Sequence, residues 1–322
     1  MPKIKGPRNS YAGVLICVGG RGNEGDPYKS VEYLEAGADR EWKPLPNMIN
    51  ARRHVGAIAL NGSLYAVGGH SGSEHLSSVE CFDLHSKRWR LKRQMSTPRR
   101  GIALAVVEVS GARCIFAIGG LDDNMCYNNV EKYDPVQDNW KNVANLRIHR
   151  GGVCAVTLNS EVYAIGGNDG VQSKACCEKY SPLLDRWEDI PVMQQRRAGA
   201  GATVANGKIF VAGGFDDNAP LSSVEVYNPS TAVWVNIKAM HSPRGGVGLA
   251  PLSGKLIAVG GHNGKVYLKS VEIYNMDSDS WASGPPTNLA RAGSGIAWIQ
   301  IDSDQLEKEP EKPLSGVQLL AV

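Results

Sequence analysis

The sequence predicts an all-β fold: a six-bladed β-propeller with four antiparallel strands per blade. Two observations predict it. A Gly-Gly doublet recurs at Gly19, Gly68, Gly119, Gly166, Gly213 and Gly260, at intervals of 49, 51, 47, 47 and 47 residues. Such a period near fifty marks a repeat architecture. No window of useful length carries the 3.6-residue apolar period of an amphipathic helix, so helices are expected to be nearly absent.

Each copy aligns on fixed points. An aromatic residue or Ile stands three before the doublet (Ile16, Tyr65, Phe116, Tyr163, Phe210, Ile257). Glu follows twelve after the first Gly (Glu80, Glu131, Glu178, Glu225, Glu272) and an aromatic at fourteen (Phe82, Tyr133, Tyr180, Tyr227, Tyr274). Trp comes at twenty-one (Trp89, Trp140, Trp187, Trp234, Trp281) and Arg ten later (Arg99, Arg150, Arg197, Arg244, Arg291). The first copy departs slightly: Glu32 and Trp42 sit one and two residues late, either Tyr33 or Leu34 fills the aromatic slot, and Arg52 keeps the ten-residue step.

Four strands per copy follow in order. The first is the run after Arg, as in 54–60, and the second is the run into Gly-Gly. Asn61-Gly62, Asn206-Gly207 and Ser253-Gly254 join these two as tight hairpins. The third is the Glu-x-Tyr strand, ended in two copies by Pro135 and Pro229, since proline cannot donate to a ladder. The fourth surrounds Trp. A four-stranded sheet with two apolar faces cannot stand alone, whereas six arranged radially cover one another. The repeated Trp is the expected filler between blades. The repeated Glu and Arg are expected to hold each blade, because a charge in every blade does not single out one ligand.

The ends imply how the ring closes. The first copy lacks a leading strand, and a spare one follows Arg291. Segment 294–300 is therefore expected to become the innermost strand of the first blade. The domain reading is a lead-in at 1–10, a propeller at 11–301 and a charged, proline-bearing tail at 302–322 that is expected to be disordered.

Composition narrows the function classes. A net charge of +3 over 322 residues argues against a nucleic-acid or anionic-membrane binder. No apolar run approaches the roughly 20 residues that span a bilayer. Seven cysteines without a CxxC pair read as reduced thiols in a cytoplasmic protein. Asn61-Gly62-Ser63 is a sequon whose Asn-Gly reads better as a turn. Gly20-Arg-Gly-Asn-Glu-Gly25 matches a dinucleotide fingerprint, but the same slot in the other copies opens no helix, so no cofactor is expected. The seven histidines lack metal-ligand spacing. A zinc site at His54, His70 and His262 is weighed and set aside, because no Cys or supporting pattern accompanies it. No nucleophile or acid–base set suggests an enzyme.

The doublet, Glu-x-Tyr, Trp and Arg at these spacings resemble the kelch repeat over about 290 residues. Loops such as GGLDDN, GGNDG, GGFDDNAPLSSVE and GGHNG resemble those of the BTB–BACK–kelch family. That resemblance implies a substrate-recognition propeller of a cullin-3 ubiquitin ligase adaptor, whose propeller binds the target protein while a BTB domain binds cullin-3. No BTB or BACK segment is read in this chain, so cullin-3 is expected only through a BTB domain. An actin scaffold is the alternative, and a kelch-propeller enzyme a weaker one.

Residues that vary at a fixed slot are free to form a surface. Two such slots are expected to rim one mouth of the ring: the loop after Gly-Gly and the residues after Arg. The partner-binding candidates are Arg21, Arg53, His54, His70 and Arg100 on one side. Asp122, Asp123, Asn168, Asp169, Asp216, Asp217 and His262 supply the rest, with Leu121 and Phe215 as apolar contacts. The pattern predicts a basic side facing an acidic side, opened by glycines in the second slot. An alternative reading leaves the aspartates capping their own turns. For Arg53 and Arg100 binding is favoured, because four of the six copies carry only Gly or Ala there.

Overall fold

The computed structural model describes residues 11–36, 41–109 and 111–302. They form six four-stranded sheets, and no helix occurs among them. The second blade shows the pattern. Gly56–Leu60 lies innermost, followed by Ser63–Val67, Val79–Asp83 and Arg88–Lys92 at the outside, all antiparallel. Its hairpin turns on Asn61 (φ 50°) and Gly62 (φ 74°), the positive pair that a two-residue hairpin demands.

The first blade is assembled from both ends of the sequence. Gly295–Asp302 forms its innermost strand and pairs with Tyr11–Val18 along its whole length, from Val18↔Gly295 to Tyr11↔Asp302. The ring therefore closes by hydrogen bonding between the start and end of the domain, as expected. The lead-in and residues 303–322 of the tail lie outside the described residues. In this blade Glu32 occupies the Glu slot, and two residues on, Leu34 opposes Leu15 and fills the aromatic slot. Tyr33 points to the other sheet face and packs with Leu64 and Phe82 of the second blade, as a strand period of two requires.

Three repeated residues fasten the blades. Each Trp sits opposite the repeated aromatic, or beside it, and is largely buried. Its indole N–H donates to a carbonyl of the preceding blade: Trp89 to Pro46, Trp187 to Ala144, Trp234 to Pro191, Trp281 to Lys238 and Trp42 to Pro285, at 2.8–3.0 Å. The sixth, Trp140, donates to Arg93 but is less covered. The second and third residues are Arg and Glu. Arg197 is fully buried and bonds Glu225 at 3.0 Å, the carbonyls of Gly213 and Ser223 at 2.9 Å, and Ser223 Oγ. Glu225 in turn accepts from the amides of Gln194 and Gln195. Arg52–Glu80, Arg99–Glu131, Arg150–Glu178, Arg244–Glu272 and Arg291–Glu32 repeat the pair. Burial raises the Glu272 carboxyl, but the His241 amide and Arg244 outweigh it, so its pKa falls below the usual value.

The doublet is the joint between these parts. Its first carbonyl accepts from the Arg of its own blade, and its second amide donates to the carbonyl of the next blade's Arg, as Gly20 does to Arg52 and Gly214 to Arg244. At Gly213 φ is +67°, and a Cβ would lie 2.4 Å from the Arg244 carbonyl oxygen. Only glycine accepts both that backbone conformation and that approach.

Candidate partner-binding mouth

The strands that run into Gly-Gly all end at one face of the ring, so the loops after the doublets and the residues after the repeated Arg meet there. Short bridges join the two slots: Arg53 with His70, Arg100 with Leu121, Gly151 with Asn168, Ala198 with Phe215, Gly245 with His262 and Arg21 with Ala292. At the axis lies a closed ring of backbone hydrogen bonds. His54 donates to Gly293, Gly293 to Gly246, Gly246 to Gly199, Gly199 to Gly152, Gly152 to Gly101, and Gly101 back to His54, all at 2.7–2.9 Å. All six residues have φ between 52° and 65°, and His54 is the one member that carries a side chain.

His54 is the centre of a basic cluster. Burial lowers its pKa to about 4, and Arg21, Arg100 and Arg53 push in the same direction. Burial also lowers His70 and His75, the latter aided by Arg100. Arg53 bonds Asp26 at 2.6 Å, and Arg21 lies 3.8 Å from the same carboxylate and over the ring of Tyr267. Arg100 bonds Asp123 at 2.9 Å and contacts His75 Nε2. His70 accepts the Gly72 amide on Nδ1 and meets His75 edge-on. His262 accepts the Gly264 amide in the same way and packs on Tyr267. Among the described residues no group of three or more His, Cys, Asp or Glu could hold a metal ion.

The aspartates are placed differently from a free acidic wall. Asp122 caps the amides of Asn124 and Met125 and accepts from Tyr127 Oη, which lowers its pKa. Asp169 caps Val171 and Gln172, and Lys174 holds it at about 2. Asp216 caps Asn218 and Ala219. Asp217 reaches across to the amide and hydroxyl of Ser173, and Asn168 approaches it at 3.5 Å. Of the candidate aspartates, Asp123 alone pairs with a cluster arginine. Acid and base are thus paired on the first three blades, while Asp169, Asp216 and Asp217 of the fourth and fifth are taken up by turn amides, Lys174 and Ser173. A carboxylate two residues before free turn amides satisfies them first.

The small second-slot residues also differ from openings. A Cβ on Gly245 would strike the Phe215 ring at 1.9 Å, and one on Gly151 would meet Leu121 at 2.5 Å. These glycines seat the apolar side chains. The loop tips carry apolar residues that sequence reasoning passed over: Met125, Val171 and Val266 are exposed, as is Phe215. Asp26, His75 and Tyr267 were missed as well, because each supports a named candidate from another loop. The mouth therefore combines a charged arc on the first three blades with an apolar arc on the third to sixth. The Gly20–Gly25 stretch closes on itself through Gly22 and Gly25 and opens no helix.

One consequence concerns pH. A His whose folded pKa lies near 4 resists protonation that the unfolded chain accepts near 6.5. The fold should lose stability as pH falls from about 6.5 toward 4, by about 3 kcal/mol from this residue at about 1.4 kcal/mol per unit. His54→Gly gives the ring its sixth glycine and should flatten this slope. Denaturant titrations at pH 7.5 and 5 check it, and an unchanged slope assigns the loss elsewhere.

Comparison with known families agrees with this geometry. A KLHDC2/KLHL20/DRC7 Kelch-repeats domain model matches residues 8–167, and a Kelch motif model matches 149–194, 196–241 and 243–288. A stretch of 77 residues, 24% of the chain, is 53% identical to mouse (Mus musculus) kelch-like protein 8 and covers 12% of that protein. Another of 119 residues, 35% of the chain, is 34% identical to alpha-scruin of Limulus polyphemus, again over 12% of its length. The solved structure of YjhT superposes with a TM-score of 0.70 over 83% of this chain and 96% of that one, at 13% identity, a likeness of fold.

Proposed function

Because the chain belongs to the kelch-repeat family, whose models together match most of residues 8–288, we propose that its propeller binds a target protein at the mouth around His54. A kelch propeller is a protein-interaction module. The observation that carries the finer reading is the convergence there of Arg21, Arg53 and Arg100 beside an exposed apolar arc of Met125, Val171, Phe215 and Val266. Charged contacts set the register of a short peptide or loop, and buried apolar anchors supply its affinity. The similarity to kelch-like protein 8 supports target recognition for a cullin-3 ubiquitin ligase, with cullin-3 bound through a BTB domain and not through this propeller. The alignment spans about an eighth of that relative, so ligase assembly rests on the resemblance. No part of this reading calls for catalysis, a cofactor, nucleic acid or a membrane, and a cytoplasmic location accords with it.

Partners recovered by pull-down with the propeller and mapped to peptides test the site. Arg53→Ala with Arg100→Ala should weaken the mapped peptide by about 10²-fold, taking one to two kcal/mol for each charged contact. Equal affinity by calorimetry sinks the site assignment. The similarity to alpha-scruin supports an actin scaffold as the second reading, and co-sedimentation with filaments that survives both substitutions would favour it.

A further inference from the structure

On the outer side of the ring, the residue three before each repeated Arg reaches toward the outer strands of the blade which that Arg holds. In the fourth blade Arg147 pairs with Asp189 at 3.0 Å. In the fifth, Gln194 Nε2 donates to the Trp234 carbonyl at 3.2 Å, and Gln194 Oε1 accepts from Asn236 Nδ2 at 2.5 Å. In the first, Asn288 Nδ2 donates to the Trp42 carbonyl at 3.0 Å, and in the sixth His241 bonds Glu272. In the second, Ile49 and Leu91 hold the two slots as an apolar pair. The residue three before Arg and the residue two after Trp are thus matched in chemistry: apolar with apolar, base with acid, amide with amide.

The third blade breaks the match, because its two slots hold Ser96 and Asn142. Asn142 follows Trp140 as Asn236 follows Trp234, but Ser96 lacks the length of Gln194. The Ser96 hydroxyl turns to Thr97 at 3.4 Å, and Asn142 makes no side-chain hydrogen bond among the described residues. A cavity of about 330 Å³ lies at this seam, lined by both residues and by Glu131, Asn139 and Trp140. The side-chain oxygen of Asn139 is buried there without a donor. Trp140 is only half-buried, whereas the other five blade tryptophans keep at most 9% of their surface exposed. The fifth blade has the same hollow, and there Gln194 crosses it.

We propose that this seam is a binding site for a glutamine side chain presented by a partner segment, which takes the place that Gln194 holds in the fifth blade. A carboxamide carries one acceptor and two donors. In the third blade its oxygen accepts from Asn142 Nδ2, one N–H donates to the Trp140 carbonyl, and the other meets Asn139 Oδ1. A buried acceptor left unpaired favours a group that brings it a donor. The aliphatic stem of the glutamine lies on the uncovered part of the indole. A carboxylate does not fit, because its second oxygen would face the Asn139 oxygen and the Glu131 carboxylate. The seam borders the outermost strand, Asn139–Val143, away from the loops of the mouth, so a partner held here need not compete with a target bound there.

N-acetylglutamine methylamide, titrated into isotope-labelled protein, tests this by nuclear magnetic resonance. It should shift the Trp140 indole N–H resonance, which Trp140→Phe identifies, and saturate in the millimolar range expected of so small a ligand. N-acetylglutamate methylamide at neutral pH should leave that resonance in place. Asn142→Ala should weaken the glutamine analogue about fivefold, the loss of one hydrogen bond. Ser96→Gln supplies the carboxamide from the chain itself. It should abolish the shift and raise the melting temperature by about 2 °C. A resonance that does not move with the glutamine analogue overturns the proposal, as does one that moves equally with the glutamate analogue. Equal affinity in Asn142→Ala, or a shift that persists in Ser96→Gln, overturns it too.

Discussion

Deleting residues 290–322 should abolish cooperative unfolding. The deletion removes the strand Gly295–Asp302, whose eight residues pair with Tyr11–Val18, and leaves the first blade with three strands and an open inner edge. It also removes Arg291, which bonds Glu32 at 2.6 Å and the carbonyls of Gly19 and Ser30. Glu32 would then be a buried carboxylate without its cation. The axial ring loses Gly293 and with it two of its six hydrogen bonds. Propeller blades have no independent core, since each covers its neighbours' faces, so an open ring exposes apolar surface on two blades at once. The expected product shows no single unfolding transition by heat or urea and binds hydrophobic dyes. A truncated chain that melts like the full one would show that the first blade closes without its fourth strand.

Glu225→Ala should cost about 3–5 kcal/mol, the range for stripping one partner from a buried ion pair. Arg197 is fully enclosed, and after the change its guanidinium keeps neutral acceptors but no counter-charge. The amides of Gln194 and Gln195 lose their acceptor as well, but Gln194 is exposed and Gln195 half-buried, so water replaces it at small cost. Replacing both partners, as in Arg197→Met with Glu225→Leu, should recover part of the loss, because an apolar pair of similar volume avoids the desolvation of two ions. Thermal melts of the two variants separate these cases. Equal melting of Glu225→Ala and the parent would show that the carboxylate contributes nothing at this joint.

What repeats was legible, and for a physical reason. Arg, Glu, Trp and the doublet recur because one local geometry is built six times, so each copy corroborates the others. Closure could be read because one copy lacked a leading strand and another had one to spare. The choice between Tyr33 and Leu34 needed the register, since the first copy's spacing was offset and only the pairing Leu15↔Leu34 decides which face each takes. The mouth was read least well, because every contact there joins loops of two blades. Asp26 belongs to the single loop that departs from the pattern, yet it is the partner of Arg53. Gly151 and Gly245 looked like gaps in a list of side chains, while the backbone uses them as seats for Leu121 and Phe215. Met125, Val171 and Val266 went unnoticed because a turn sequence does not say which of its residues points outward.

The ring of amides around the axis also joins the blades. Its six N–H groups point the same way round, each bond polarising the next. Each sector gives that loop one donor and one acceptor, so the blades are tied at the axis by main-chain atoms alone. Five of the six members are glycines at positive φ, which keeps the axis the same in every sector while the loops outside it carry different side chains from blade to blade.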